Sequence, residues 1–131
     1  MIGIVIVSHS AKVAEGVKDM AEQMSQGRVT IAAAGGVDDE TLGTNAERIL
    51  AALQQAYSPD GVLVLLDLGS AVMSAQVALE MLPEEQRQVI KLSDAPLVEG
   101  AIVAAVEASL GRGLEAVKQA AEAASTMRKI L

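Results

Sequence analysis

The sequence has no cysteine, no tryptophan and no phenylalanine, and Tyr57 is its only aromatic residue. Without cysteine there is no disulfide framework, thiol nucleophile or thiolate metal site, which leaves non-redox chemistry in a reducing compartment. A single histidine, His9, excludes a multi-histidine zinc centre, and the expected metal complement is none. Basic residues are also few: 10 Lys+Arg stand against 17 Asp+Glu, for a net charge of −7. With neither a basic footprint nor aromatic stacking platforms, nucleic acid is not expected as a partner.

No apolar run approaches the roughly 20 residues that span a bilayer. The opening Ile2–Val7 has no basic leader and is cut off by Ser8-His9-Ser10. The expectation is a cytoplasmic protein with no membrane insertion, whose first strand begins at once. Nucleotide signatures are missing as well. There is no G-x-x-x-x-G-K-[ST] and no G-x-G-x-x-G after the first strand, and Gly35-Gly36 leads into Asp38, Asp39 and Glu40, which repel a triphosphate unless a metal intervenes. This chain is expected to bind no cofactor of its own.

What remains is 51% apolar over 131 residues, enough for one compact domain spanning 1–131. Ile2–Val7, Val29–Ala33, Val62–Leu66 and Val89–Leu92 are β-branched or leucine-rich with little polar alternation, as strands buried on both faces are. Helical period runs between and after them. Val13, Val17, Met20, Ala21 and Met24 share one face, as do Ala46, Ile49, Leu50, Leu53 and Tyr57, and then Val98, Ile102, Ala105, Val106 and Leu110. Gly111-Arg112-Gly113 breaks the pattern before a last helix marked by Leu114, Val117, Ala121 and Ala124. Thr44-Asn45-Ala46-Glu47 reads as a capping box, Ser58-Pro59-Asp60-Gly61 as a type I turn, and Pro96 as a first-turn proline. The class is α/β: a doubly wound, mainly parallel four-stranded sheet of order 2-1-3-4, with helices on both faces.

Such a sheet binds ligands outside the carboxyl ends of its strands, where the strand order reverses. His9 leaves strand one there, and order 2-1-3-4 sets Asp67, at the end of strand three, beside it. A carboxylate on one ring nitrogen fixes the tautomer, leaves the other nitrogen as a nucleophile and steadies the positive charge that develops on attack. Ser70 opens a helix whose free N–H groups favour an anion such as a phosphoryl group. Ser8, Ser10, Gly35, Gly36 and Gly69 crowd the same edge as candidate supports. Each has a plainer reading: His9 as a polar strand end, Asp67 as a residue at a helix start, Ser70 as an N-cap, Gly35-Gly36 as a tight turn. A receiver-type phosphoaspartate domain shares the architecture but needs an acidic pair where this chain has Ser-His-Ser. Ala11, Leu68, Ala71, Val72 and Met73 are expected to be partly exposed around the histidine as a docking patch, with a core position in the third helix as the alternative for Val72 and Met73.

The segments Ile4–Ser10, Ala14–Val17, Ala34–Gly36 and Val64–Ala71 resemble the DhaM family, the phosphoryl-donor subunits of phosphoenolpyruvate-dependent dihydroxyacetone kinases. Their wider relatives are the mannose-type enzyme IIA domains of the sugar phosphotransferase system. The resemblance implies that His9 is phosphorylated on Nε2 while Asp67 orients Nδ1. It further implies that the phosphoryl group comes from the phosphocarrier HPr and passes to ADP held on a DhaL subunit, which then phosphorylates dihydroxyacetone on DhaK. Some family members carry HPr-like domains on the same polypeptide; here HPr is expected to be separate. A homodimer is implied, although the helical tail departs from the extra edge strand of mannose-type relatives. A sugar-specific enzyme IIA and a non-catalytic interaction module are the competing readings.

Overall fold

Four strands alternate with six helices in the computed structural model, which describes residues 1–131. They run β1 (Gly3–Ser8), α1 (Ala11–Ser25), β2 (Ile31–Gly35), α2 (Ala46–Ala56), β3 (Val62–Leu66), α3 (Gly69–Glu80), α4 (Glu84–Arg87), β4 (Ile90–Ser93), α5 (Leu97–Ser109) and α6 (Leu114–Ala123), with a 3₁₀ turn at Ala124–Thr126. The sheet is parallel throughout in the order β2-β1-β3-β4, as expected. Three of the strands begin one or two residues later than the apolar runs suggest, and α4, a single acidic turn after Pro83, has no apolar periodicity by which to foresee it.

Every residue of β1 and β3 is buried, because both sheet faces are covered. Ile4, Ile6, Leu63 and Leu65 point into the core under α1, α5 and α6, while Val5, Val7, Val62, Val64 and Leu66 point into the core under α2 and α3. Chain order reverses between β1 and β3, so the exits of these two strands form the switch point of the sheet.

Two helix faces depart from expectation. On α1 the buried residues are Ala14, Val17, Ala21 and Ser25, whereas Val13, Met20 and Met24 are about half exposed. On α5 the buried side is Gly100, Ala101, Ala104, Ala105 and Ala108; Val98 and Leu110 are exposed, and Ile102 and Val106 lie at the margin. The reason is steric. Helix α5 is wedged between α1 and α6 and lies close on β1 and β3, where only small side chains fit. A Cβ on Gly100 would stand 2.6 Å from the Ala95 Cβ and 3.1 Å from Leu65.

The local signals shift by small steps. Asn45, not Thr44, caps α2 by accepting the Glu47 N–H, and the Thr44 hydroxyl pairs instead with Ser74 on α3 at 2.6 Å. Pro96 is the N-cap of α5 and not its first residue. The Ser58–Gly61 turn closes as expected, Gly61 N–H donating to the Ser58 carbonyl at 2.9 Å. The break at Gly111–Gly113 separates α5 from α6, so the tail is helical. No helix is long and apolar enough to cross a membrane.

Candidate active site

Ser8 ends β1 fully buried, and the chain turns at His9 before Ser10 caps α1 by accepting the Val13 N–H. Across the switch point, Asp67 leaves β3 with its carboxylate facing this turn. Each carboxylate oxygen accepts two hydrogen bonds. Oδ1 takes the His9 ring Nδ1–H at 2.9 Å and the Leu68 N–H at 2.7 Å; Oδ2 takes the Ser8 hydroxyl at 2.8 Å and the His9 main-chain N–H at 2.9 Å. Burial opposes ionisation of Asp67, but the bonds from the His9 backbone, the His9 ring, the Ser8 hydroxyl and the Leu68 backbone outweigh it and hold the carboxyl below its ordinary range.

With Nδ1 donating to a carboxylate, Nε2 keeps its lone pair. That nitrogen faces Ser70 Oγ at 2.5 Å, and the Ser70 hydroxyl is the donor. Ser70 lies in the first turn of α3, whose N-cap is Leu68, a residue with no side-chain acceptor. The Gly69 and Ser70 N–H groups therefore end on nothing, at the positive end of the helix and beside Nε2. The His9 and Asp67 side chains are 25% and 20% exposed, sheltered but reachable from one side. The arrangement suits a nucleophilic imidazole facing a nest for an anion. No group of three or more His, Cys, Asp or Glu side chains is placed to hold a metal ion.

The remaining candidates divide. Gly69 and Ser70 stand at the anion nest. Ser8 spends its hydroxyl proton on Asp67 and a lone pair on the Ser10 N–H, so it supports the site from beneath. Gly35 and Gly36 lie behind the histidine: a Cβ on Gly35 would run into the Ser10 carbonyl, and the Gly36 N–H donates to the Ser8 carbonyl. In the docking patch, Leu68 and Met73 are 64% and 69% exposed, and Ala11 and Val72 are half-buried. Ala71 is a correction, because it is fully buried in the core under α3 and offers no surface. Sequence reasoning passed over Leu42, an exposed leucine in the β2–α2 loop, and also Thr44, Arg48 and Ser74, which tie that loop down.

The exit of β4 repeats the carboxylate-held turn with other residues. Glu122 Oε2, on α6, accepts the Ser93 hydroxyl at 2.9 Å and the Asp94 N–H at 3.2 Å, and the Ala95 N–H donates to Ser93 Oγ. Lys118 Nζ lies over both oxygens, 3.1 Å from Oε2 and 3.3 Å from Oε1. Burial again opposes ionisation, and the Ser93, Lys118 and Asp94 contacts hold Glu122 below its ordinary range.

A lowered carboxyl binds fewer protons folded than unfolded, so its contribution to stability is full above the unfolded value of about 4 and fades as pH drops through the folded value. Thermal midpoints are expected to fall as the pH drops below about 4. Asp67→Asn, less stable at neutral pH, should show a shallower acid decline, and an equal slope in the two proteins would contradict this account of Asp67.

Residues 3–118 match the family described as PTS system fructose IIA component. The phosphoryl donor subunit DhaM of the PEP-dependent dihydroxyacetone kinase of Escherichia coli (strain K12) is 42% identical over 120 residues, covering 89% of this chain and 25% of that protein. The DhaM subunit of PEP-dependent dihydroxyacetone kinase 2 of Listeria innocua is 41% identical over 119 residues, covering 91% of this chain and 95% of that protein. The chain thus spans about a quarter of the E. coli relative and of that from Providencia stuartii, and nearly all of the Listeria one. Among solved structures, a protein of unknown function, EF1359, superposes with a TM-score of 0.81 at 36% identity, covering 94% of this chain and 95% of that one. The phosphotransferase system component EIIA from Streptococcus agalactiae superposes with a TM-score of 0.68 at 16% identity, covering 95% and 92%, and shows the same fold.

Proposed function

Because the chain belongs to the PTS system fructose IIA component family and, within it, to the DhaM phosphoryl-donor subunits, we propose that it relays a phosphoryl group through Nε2 of His9. The observation that carries this reading is the Asp67–His9–Ser70 line, a carboxylate on Nδ1 and a helix N-terminus facing Nε2. The donor is phosphorylated HPr. Its P–N bond breaks and the electron pair stays with the donor nitrogen, while the Nε2 lone pair forms the new P–N bond. The ring becomes cationic, and the Asp67 carboxylate steadies it through Nδ1–H. The Ser70 hydroxyl and the Gly69 and Ser70 N–H groups then receive phosphoryl oxygens. In the second step the group passes to ADP on a DhaL subunit, for dihydroxyacetone on DhaK. The chain itself carries no cofactor, only the phosphohistidine.

Incubation with phosphoenolpyruvate, enzyme I and HPr should give acid-labile, base-stable phosphate on the chain, discharged by ADP-loaded DhaL. Absence of label sinks the relay in favour of an interaction module, and discharge only by a sugar permease makes the chain a sugar-specific enzyme IIA. We also propose a homodimer, supported by the apolar side chains left outside on α1 and α5 and readable from the mass in solution.

Both partners must bring their reacting groups to the same nitrogen with water excluded, which calls for an apolar surround. Leu68, Met73 and Leu42 are the exposed large side chains placed for it. Met73→Glu is expected to slow charging and discharge together by roughly tenfold at subsaturating partner. If only one direction slows, the two partners use separate surfaces.

A further inference from the structure

We propose that Arg48 is a positioning residue for the transfer, acting through the β2–α2 loop on the main chain of His9; the proposal rests on the relay reading. The peptide groups of His9 are held from both sides of β1. Its N–H is fixed by Asp67 from β3, and its carbonyl accepts the Gly43 N–H at 2.8 Å from the loop that follows β2. The ring direction toward Ser70 therefore depends on where Gly43 sits as well as on Asp67. Gly43 has φ +135°, and a Cβ there would stand 2.7 Å from Val37, so its N–H is aimed by a conformation particular to glycine.

The ten residues from Gly36 to Asn45 form neither helix nor strand, and side chains hold them. Asp38 Oδ1 accepts the Glu40 and Thr41 N–H groups, which folds the tip locally. Arg48 fastens this folded tip to the sheet. Its Nη2 donates to the Gly35 carbonyl at 3.1 Å, where the loop begins, and to Asp39 Oδ1 at 2.9 Å, at the tip. The Arg48 Nε–H is buried without an acceptor, a penalty that the side chain would escape by swinging into solvent. The two clamp bonds hold it in place.

The test uses Arg48→Met, which keeps an apolar stem and removes the donors, and Arg48→Lys, which restores a single ammonium. Phosphoramidate serves as a small donor that needs no docking: its P–N bond breaks, ammonia leaves with the electron pair, and Nε2 takes the phosphoryl group. In Arg48→Met, amide exchange at Gly43 is expected to quicken roughly tenfold, with helix α2 and strand β2 unchanged. Labelling of His9 by phosphoramidate should slow roughly 5- to 20-fold, with the apparent KM for HPr unmoved and partial recovery in Arg48→Lys. Unchanged Gly43 exchange, unchanged labelling, or uniform quickening across the sheet each overturns the proposal. Should Arg48→Met not fold, Asp39→Asn weakens the tip bond alone, and wild-type behaviour at both Gly43 and His9 is then the overturning result. A wild-type protein that phosphoramidate labels but HPr does not would sink the relay reading and leave the positioning role standing.

Discussion

His9→Ala is expected to take no phosphoryl group from HPr or from a small donor. No other imidazole exists in the chain, and no thiol. The two groups nearest the vacated position cannot substitute. Both oxygens of Asp67 are committed to main-chain and hydroxyl donors, and the Ser70 hydroxyl, which donates to Nε2 in the intact site, loses the only base beside it. The fold should survive, since the side chain is 25% exposed and its removal deletes one ring-to-carboxylate bond and one contact to Ser70, roughly 1–2 kcal/mol. Acid-labile phosphate read by gel shift or mass, beside an unchanged circular dichroism spectrum, is the measurement. Phosphate retained on the variant, at Asp67 or at a serine, ends the mechanism as stated.

The second large effect belongs to Asp67. Asp67→Ala should slow charging of His9 by roughly 10²- to 10⁴-fold, because the ring loses its orientation and the counter-charge for the cation formed on attack. Asp67→Asn separates these two losses. It keeps the size and one acceptor, but an amide nitrogen turned toward the ring would favour the Nε2–H tautomer, which has no lone pair on the attacking atom. Nitrogen-15 shifts of the imidazole report which tautomer is present, independently of rate. Wild-type charging in Asp67→Ala would mean that Nε2 needs no carboxylate behind it.

The switch point was legible because it depends on strand order alone. β-Branched and leucine runs buried on both faces imply a parallel sheet, and order 2-1-3-4 sets residue 9 beside residue 67. Which side of α1 and α5 faces inward was not legible. A reading by apolar size puts Met20, Met24 and Val98 inside, whereas the close approach of α5 to its neighbours puts alanines there. Ala71 was misplaced in the opposite sense, as the small residue that lets α3 sit against the sheet beneath an exposed Met73. The loop bonds of Arg48 and Thr44 carry no periodic signal, because each joins a side chain to a partner 9 to 30 residues away across irregular chain.

The twin turns at the exits of β1 and β4 supply their own calibration. Each is a mechanical joint: a serine and the amide after it close onto one carboxylate oxygen, and the hydroxyl collects the amide that follows. At β4 the ammonium of Lys118 straddles both carboxylate oxygens; at β1 an imidazole takes the oxygen that the serine turn leaves free. The joint therefore closes without any reactive group in it, and Glu122→Ala measures the mechanical share of such a carboxylate in the same molecule. Subtracting that share from the loss of stability in Asp67→Ala leaves what the imidazole and the Leu68 N–H add, set against the Lys118 ammonium that Glu122 holds in their place. Reactivity here is a tenant in a hinge that the fold also builds elsewhere for a lysine.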